Sequence, residues 1–223
     1  MSIQQLETIE RTTSENPTHS IIWLHGLGAD GHDFEAIVPE LNLPKTVNYR
    51  FIFPHAPFQR VTINNGQVMR AWYDVQTAPI DKQDDIAGIS DSSKALMGLI
   101  EQEIERGIPA ENIVIAGFSQ GGAIALTTAM RYHTKLAGVM ALSTYLPVQD
   151  TYPEMSHDAN RNTPIFMAHG TADETINFMI GEKSHQKLLN MDYPVDWHSY
   201  EIGHGVGPQE LDDIREWLLK VLN

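Results

Sequence analysis

The chain has 223 residues, with 29 Asp and Glu against 15 Lys and Arg and a formal net charge of −14. Cysteine is absent, which excludes a disulfide framework, a thiolate metal site and a cysteine nucleophile. The acidic balance repels a nucleic-acid duplex or an anionic bilayer, so nucleic acid is not an expected partner. Hydrophobic residues make up 42% and charged residues 20%, the proportions of a globular rather than a disordered chain. One α/β domain over residues 1–223 fits this length.

Met1 to Thr13 carries Glu7, Glu10 and Arg11 and has neither a basic start nor an apolar run. It does not read as a secretory signal, and a cytoplasmic location is the expectation. The first strand signal is Ser20 to Leu24, and Tyr49 to Phe53 follows, closed by Pro54. Residues 54–89 are the least regular stretch. They hold Asn64-Asn65-Gly66, which reads as a tight turn, and an acidic segment around Pro79 to Asp85. So long a connection is where binding surfaces tend to lie. From Ile89 onward Ala95, Leu96, Leu99, Ile100 and Ile104 follow helical spacing, and Gly107 and Pro109 end that helix.

Asn112 to Met130 has no charged residue, a length that raises the question of a membrane span. Its centre, Gly117-Phe118-Ser119-Gln120-Gly121-Gly122, is polar and dense in glycine. It divides instead into a strand, Ile113 to Ala116, a turn, and a helix, Gly122 to Met130. Leu136 to Leu142 and Pro164 to Ala168 are further strands, and Phe178 to Leu189 is a helix. Val195 to Tyr200 alternates more and belongs nearer a sheet edge. The last helix runs from Pro208 to Leu222, with Leu211, Ile214, Leu218 and Leu219 as its apolar stripe. Continuously apolar strands alternating with helices predict an α/β fold: a doubly wound, mostly parallel sheet with helices on both faces.

Gly117-Phe118-Ser119-Gln120-Gly121 matches the G-x-S-x-G nucleophile elbow and lies between a strand and a helix, the setting that motif requires. A serine hydroxyl needs a base. His204 follows a strand and precedes a helix, whereas His198 lies within a strand and His185 within a helix. His169 also follows a strand but precedes the acid candidate Asp173. Asp192 and Asp196 are weaker acids for the role, one in a turn and one inside a strand. The order Ser119, Asp173, His204 is that of this fold. The loop Trp23-Leu24-His25-Gly26-Leu27-Gly28 nominates Leu27 N–H as one oxyanion donor, with Gly26 and Gly28 as neighbouring alternatives. Gln120 N–H is the other. No Gly-Lys-Ser/Thr follows that loop and no H-E-x-x-H occurs, so neither a phosphate loop nor a metal centre is expected.

These segments, together with Pro54-His55-Ala56-Pro57, Trp72-Tyr73-Asp74, Leu142-Ser143-Thr144-Tyr145, His169-Gly170-Thr171-Ala172-Asp173 and Gly203-His204, carry a resemblance. From about His19 to Leu222 the chain resembles the phospholipase/carboxylesterase group of α/β-hydrolases, which includes acyl-protein thioesterases and small bacterial carboxylesterases. The resemblance implies a minimal hydrolase core without a separate cap domain and, without a cofactor, hydrolysis of carboxylic esters, thioesters or lysophospholipids, that is, of small-molecule or lipid-like acyl esters. It maps the triad and oxyanion positions onto the residues chosen above. It also implies an acyl-binding wall before the long helix, with Ile63, Trp72, Val75 and Ile80 as its lining, and it leaves a homodimer open. Gly205 stands where acyl-protein thioesterases often have Ser after the catalytic His, which is closer to the bacterial esterases. An acyltransferase or a peptidase on the same triad is the enzymatic alternative. A non-catalytic hydrolase-like binding protein would be expected to break a triad position, and none is broken.

Overall fold

The computed structural model describes residues 6–77, 85–147 and 156–222. All six predicted strands are present. They are β2 (His19–Leu24), β3 (Tyr49–Pro54), β6 (Ile113–Phe118), β7 (Gly138–Leu142), β8 (Ile165–Gly170) and β9 (Val195–Tyr200). Three more strands were not legible from apolar runs: β1 (Thr8–Thr12) and the hairpin pair β4 (Phe58–Val61) and β5 (Gln67–Arg70). The main sheet has the order β1-β3-β2-β6-β7-β8-β9, with β4 and β5 forming a separate ribbon. Every neighbouring pair in the main sheet is parallel except β1 with β3, which runs antiparallel from Thr8 opposite Pro54 to Thr12 opposite Arg50. The strand predicted for an edge, Val195 to Tyr200, is the terminal strand β9.

The helices are α1 (Ile37–Glu40), α2 (Ile86–Glu105), α3 (Gln120–Arg131), α4 (Phe178–Asn190) and α5 (Pro208–Val221). Helix α3 begins two residues before its expected start, directly after the elbow serine. Gly107 follows α2 in the left-handed region at φ 94°, where glycine meets no steric penalty.

Strand residues alternate between two cores. Ile22, Leu24, Ile113 and Ile115 pack on one face with Leu96, Leu99 and Ile100 of α2 and Ile124 and Leu126 of α3. Ile21, Trp23, Val114 and Ala116 pack on the other with Ile37 of α1 and Ile214, Trp217 and Leu218 of α5. This two-sided burial explains why the parallel strands read as unbroken apolar runs. Strand β1, Thr-Ile-Glu-Arg-Thr, is polar because it closes an edge, where charge discourages further pairing. An ion cluster ties it to the body. Glu10 pairs with Arg106 at 2.7 Å, and Arg106 and Arg50 both reach the buried Glu103, which also accepts from Ser20.

Helix α5 carries a second buried carboxylate. Glu210 is 1% exposed; its Oε2 accepts from Gly207 N–H at 3.4 Å, and its Oε1 has no partner among the described residues. Burial pushes this carboxyl from 4.5 up to about 7. The folded state therefore holds the proton more tightly than the unfolded state. Its contribution to stability falls as pH rises from about 4.5 through about 7 and is level above that. Glu210→Gln is expected to stabilise the protein at pH 8 by on the order of 2–3 kcal/mol, with no gain below about pH 4.5. Chemical denaturation of both proteins at the two pH values measures this.

Candidate active site

The sharp turn between β6 and α3 places Ser119 at φ 54°, ψ −121°, a conformation unusual for a residue with a side chain. The turn holds through Ser119 N–H to Leu142 O at 2.8 Å and Thr144 Oγ1–H to Ser119 O at 2.6 Å. A Cβ on Gly121 would stand 2.6 Å from Leu24 O, and one on Gly117 would collide with the Gly121 backbone. The elbow thus needs glycine on both sides for close approach.

The loop between β9 and α5 brings His204 to the elbow. His204 Nε2 lies 3.0 Å from Ser119 Oγ, and Nδ1 lies 2.7 Å from Asp173 Oδ2. Asp173 follows β8 and is buried. Its Oδ1 accepts from the N–H groups of Thr175 and Ile176, each at 2.8 Å. With Nδ1–H donating to the carboxylate, Nε2 is left as the acceptor for the serine hydroxyl. The Phe118 ring sits 4.7 Å from the imidazole, centroid to centroid.

The other histidines are elsewhere. His169 is buried behind the acid, with Nε2 2.8 Å from Ile176 O and 3.4 Å from Asp173 Oδ2, and burial lowers its pKa. His198 faces Asp196 and Asp213, and His185 stacks on Trp197.

The loop after β2 approaches the serine closely: a Cβ on Gly26 would lie 3.4 Å from Ser119 Cβ. Gly28 N–H is taken by Arg70 O at 2.9 Å. Among the described residues, neither Leu27 N–H nor Gln120 N–H is bonded to a protein acceptor. Two amide donors therefore remain beside Ser119, one on this loop and one at the start of α3, whose dipole favours negative charge there.

Two side chains that the motifs did not single out for this role hold the arrangement. His25 is 1% exposed. Its Nδ1 donates to Gly26 O at 2.7 Å, and its Nε2 accepts from Ala56 N–H at 3.0 Å. Burial lowers its pKa to about 4, so the ring is neutral at pH 7. The Gly26 carbonyl and the Leu27 N–H belong to one planar trans peptide and point opposite ways. By fixing the carbonyl, His25 fixes the direction of the donor. The second is the Gln120 side chain, which accepts from Trp72 N–H at 2.8 Å and donates to Tyr73 O at 2.7 Å. Trp72 Nε1–H in turn donates to His25 O at 2.9 Å.

The expected acyl wall is not assembled as proposed. Trp72 and Val75 are 2% and 4% exposed and belong to the core, because Trp72 is the clamp just described. Ile63 is 39% exposed beside the β4–β5 ribbon. Ile80 lies outside the described residues. No helix among the described residues is long and apolar enough to cross a membrane.

The phospholipase/carboxylesterase family model matches residues 5–222. The chain belongs to this family, and its fold is that of the α/β-hydrolases. It is 41% identical over 206 residues to an acyl-protein thioesterase 1 from Yarrowia lipolytica, covering 90% of this chain and 91% of that one. A Neurospora crassa acyl-protein thioesterase 1 is 38% identical, with 92% and 87% covered. Among solved structures, Arabidopsis thaliana SOBER1 superposes with a TM-score of 0.87 at 33% identity over 92% of this chain and 99% of that one. Zea mays acyl-protein thioesterase 2 gives 0.86 at 29% identity over 97% and 99%.

His25→Ala is expected to lower kcat about 10- to 100-fold with KM little changed, because a misaligned donor is felt in the transition state. Steady-state kinetics beside a circular dichroism spectrum test it. A folded variant with unchanged kcat would separate His25 from the donor loop.

Proposed function

We propose that the protein is a serine hydrolase that cleaves carboxylic esters, thioesters included, through an acyl-enzyme on Ser119. The observation that carries this reading is the continuous chain of contacts from Ser119 Oγ through His204 to Asp173. Membership of the phospholipase/carboxylesterase family supports the reaction class. Likeness to acyl-protein thioesterases supports acyl thioesters as substrates. We also read residues 1–223 as one catalytic domain, since the sheet strands on either side of the elbow all belong to one sheet.

His204 Nε2 takes the Ser119 proton as Oγ attacks the acyl carbonyl. The carbonyl oxygen becomes an oxyanion held by Leu27 N–H and Gln120 N–H. Asp173 stabilises the imidazolium. The tetrahedral intermediate collapses, the C–O or C–S bond breaks, and His204 hands its proton to the leaving alkoxide or thiolate. Water then attacks the acyl-enzyme, again with His204 as base, and releases the acid and free Ser119.

Ser119→Ala and His204→Ala are expected to lower kcat by several orders of magnitude on p-nitrophenyl esters. Asp173→Asn is expected to cost about four orders, because it permits the wrong histidine tautomer. Turnover near the wild-type level in a folded Ser119→Ala protein would overturn the proposal.

A further inference from the structure

Beside His204 lies an open cavity of about 380 Å³, which no residue of the β4–β5 ribbon borders. It is within the size range of small-ligand sites. Its apolar lining comes from Phe34 and Ile37 on one bank and Val206 and Leu211 on the other. Phe118 and His204 join it to the elbow. Neither Leu27 nor Gln120 borders it.

Chemistry assigns this side. The donor pair fixes where the carbonyl oxygen goes, and His204 Nε2 must protonate the departing atom. The leaving group therefore emerges on the His204 side, into the cavity. The walls specify its character. Phe34 and Phe118 present a tilted aromatic pair 5.5 Å apart. Asp33 and Glu40 also line it, no Lys or Arg borders it, and among the described residues neither acid forms an ion pair. Aromatic faces beside free carboxylates are the surroundings that bind ammonium groups.

We propose that this cavity is a leaving-group subsite that prefers an alcohol or thiol with an apolar body and a cationic end. The assignment rests on the ester-hydrolase reading above. Two sources share this chemistry: a small ammonium thiol or alcohol, and an acylated peptide with a basic neighbouring side chain.

The test holds the acyl group at octanoyl. One arm compares the thiocholine thioester with its neutral 3,3-dimethylbutanethiol isostere. The second compares an S-octanoyl cysteine peptide bearing lysine with one bearing norleucine. Wild-type kcat/KM is expected to favour the cationic member of at least one pair by about fivefold, the scale of an exposed ion pair. The arm that shows the preference identifies the source. Asp33→Asn combined with Glu40→Gln is expected to bring that ratio close to one. Gly205 offers an independent probe. It borders the cavity, its backbone is outside the left-handed region, and nothing lies within 4 Å of where its Cβ would stand. Gly205→Leu is expected to slow the bulky thioesters about tenfold relative to the ethyl thioester, with the ranking of acyl lengths kept. A cationic preference absent in both arms, or equal in the wild type and the double variant, overturns the subsite. So does equal loss on all leaving groups in Gly205→Leu. Ser119→Ala run alongside separates the failures. Persistent turnover in it overturns the hydrolase reading, and serine-dependent turnover with an unresponsive ratio overturns the subsite alone.

Discussion

The close approach of three backbones at the elbow is the constraint on which the site depends. Strand β6, helix α3 and the end of β2 meet where Gly117 and Gly121 leave no room for a side chain. That contact forces the chain to reverse within one residue, and Ser119 takes the strained position. The strain persists because buried neighbours over-determine it. Leu142 O holds the serine amide, and Thr144 holds its carbonyl. The nearly continuous burial of α3, from Gln120 through Met130, anchors the other side. A serine on a softer turn would lose the alignment of hydroxyl, imidazole and amide donors together.

The same rigidity links the two amide donors, which come from segments almost a hundred residues apart in sequence. The link is a short polar chain inside the core. Gln120 grips the backbone of Trp72 and Tyr73, Trp72 donates to His25 O, and His25 orients the Gly26–Leu27 peptide. Each buried polar atom in this chain has a partner, which is what makes such a network specify one geometry rather than weaken the core. The stretch between β3 and α2 therefore has two parts. Trp72 to Val75 is a structural brace, while Phe58, Ile63 and Val68 nearby are left on the surface.

The division between what the sequence disclosed and what it concealed follows burial. Strands covered on both faces leave apolar runs that stand out without a structure, and glycines forced by close approach mark the elbow. Asp173 and His204 were legible because strand ends in this fold present side chains to one edge. Strand β1 was hidden because an edge strand is selected for polarity. The hairpin was hidden because Phe58-Gln59-Arg60-Val61 has too few inward residues to show a period, although Asn64-Asn65-Gly66 marked its turn and Asn65 sits there at φ 56°. Trp72 and Val75 were misplaced for a related reason. An aromatic or branched residue in a long loop looks the same in sequence whether it faces a ligand or a core. The signal that would have redirected Trp72 was pairwise: an indole N–H needs an acceptor when buried, and the loop at His25 supplies one.

Burial of two titratable groups, His25 and Glu210, has opposite electrostatic consequences. His25 is held neutral, its pKa lowered to about 4 by desolvation. The unfolded chain binds that proton more readily, so the stability His25 contributes is complete above its usual value of 6.5 and is lost as pH falls through about 4. Glu210, raised to about 7, contributes with the reverse slope over an overlapping range. Between about pH 4.5 and 6.5 the two slopes oppose each other. A flat stability profile there would reflect the cancellation of two buried groups, not their absence. His25 lies on the loop after β2, and Glu210, in the first turn of α5, bonds Gly207 of the loop that carries His204. Acid therefore strains the first loop while relaxing the second. As the His25 ring protonates toward pH 4 it can no longer accept the Ala56 N–H bond, and the donor loop loses that tie.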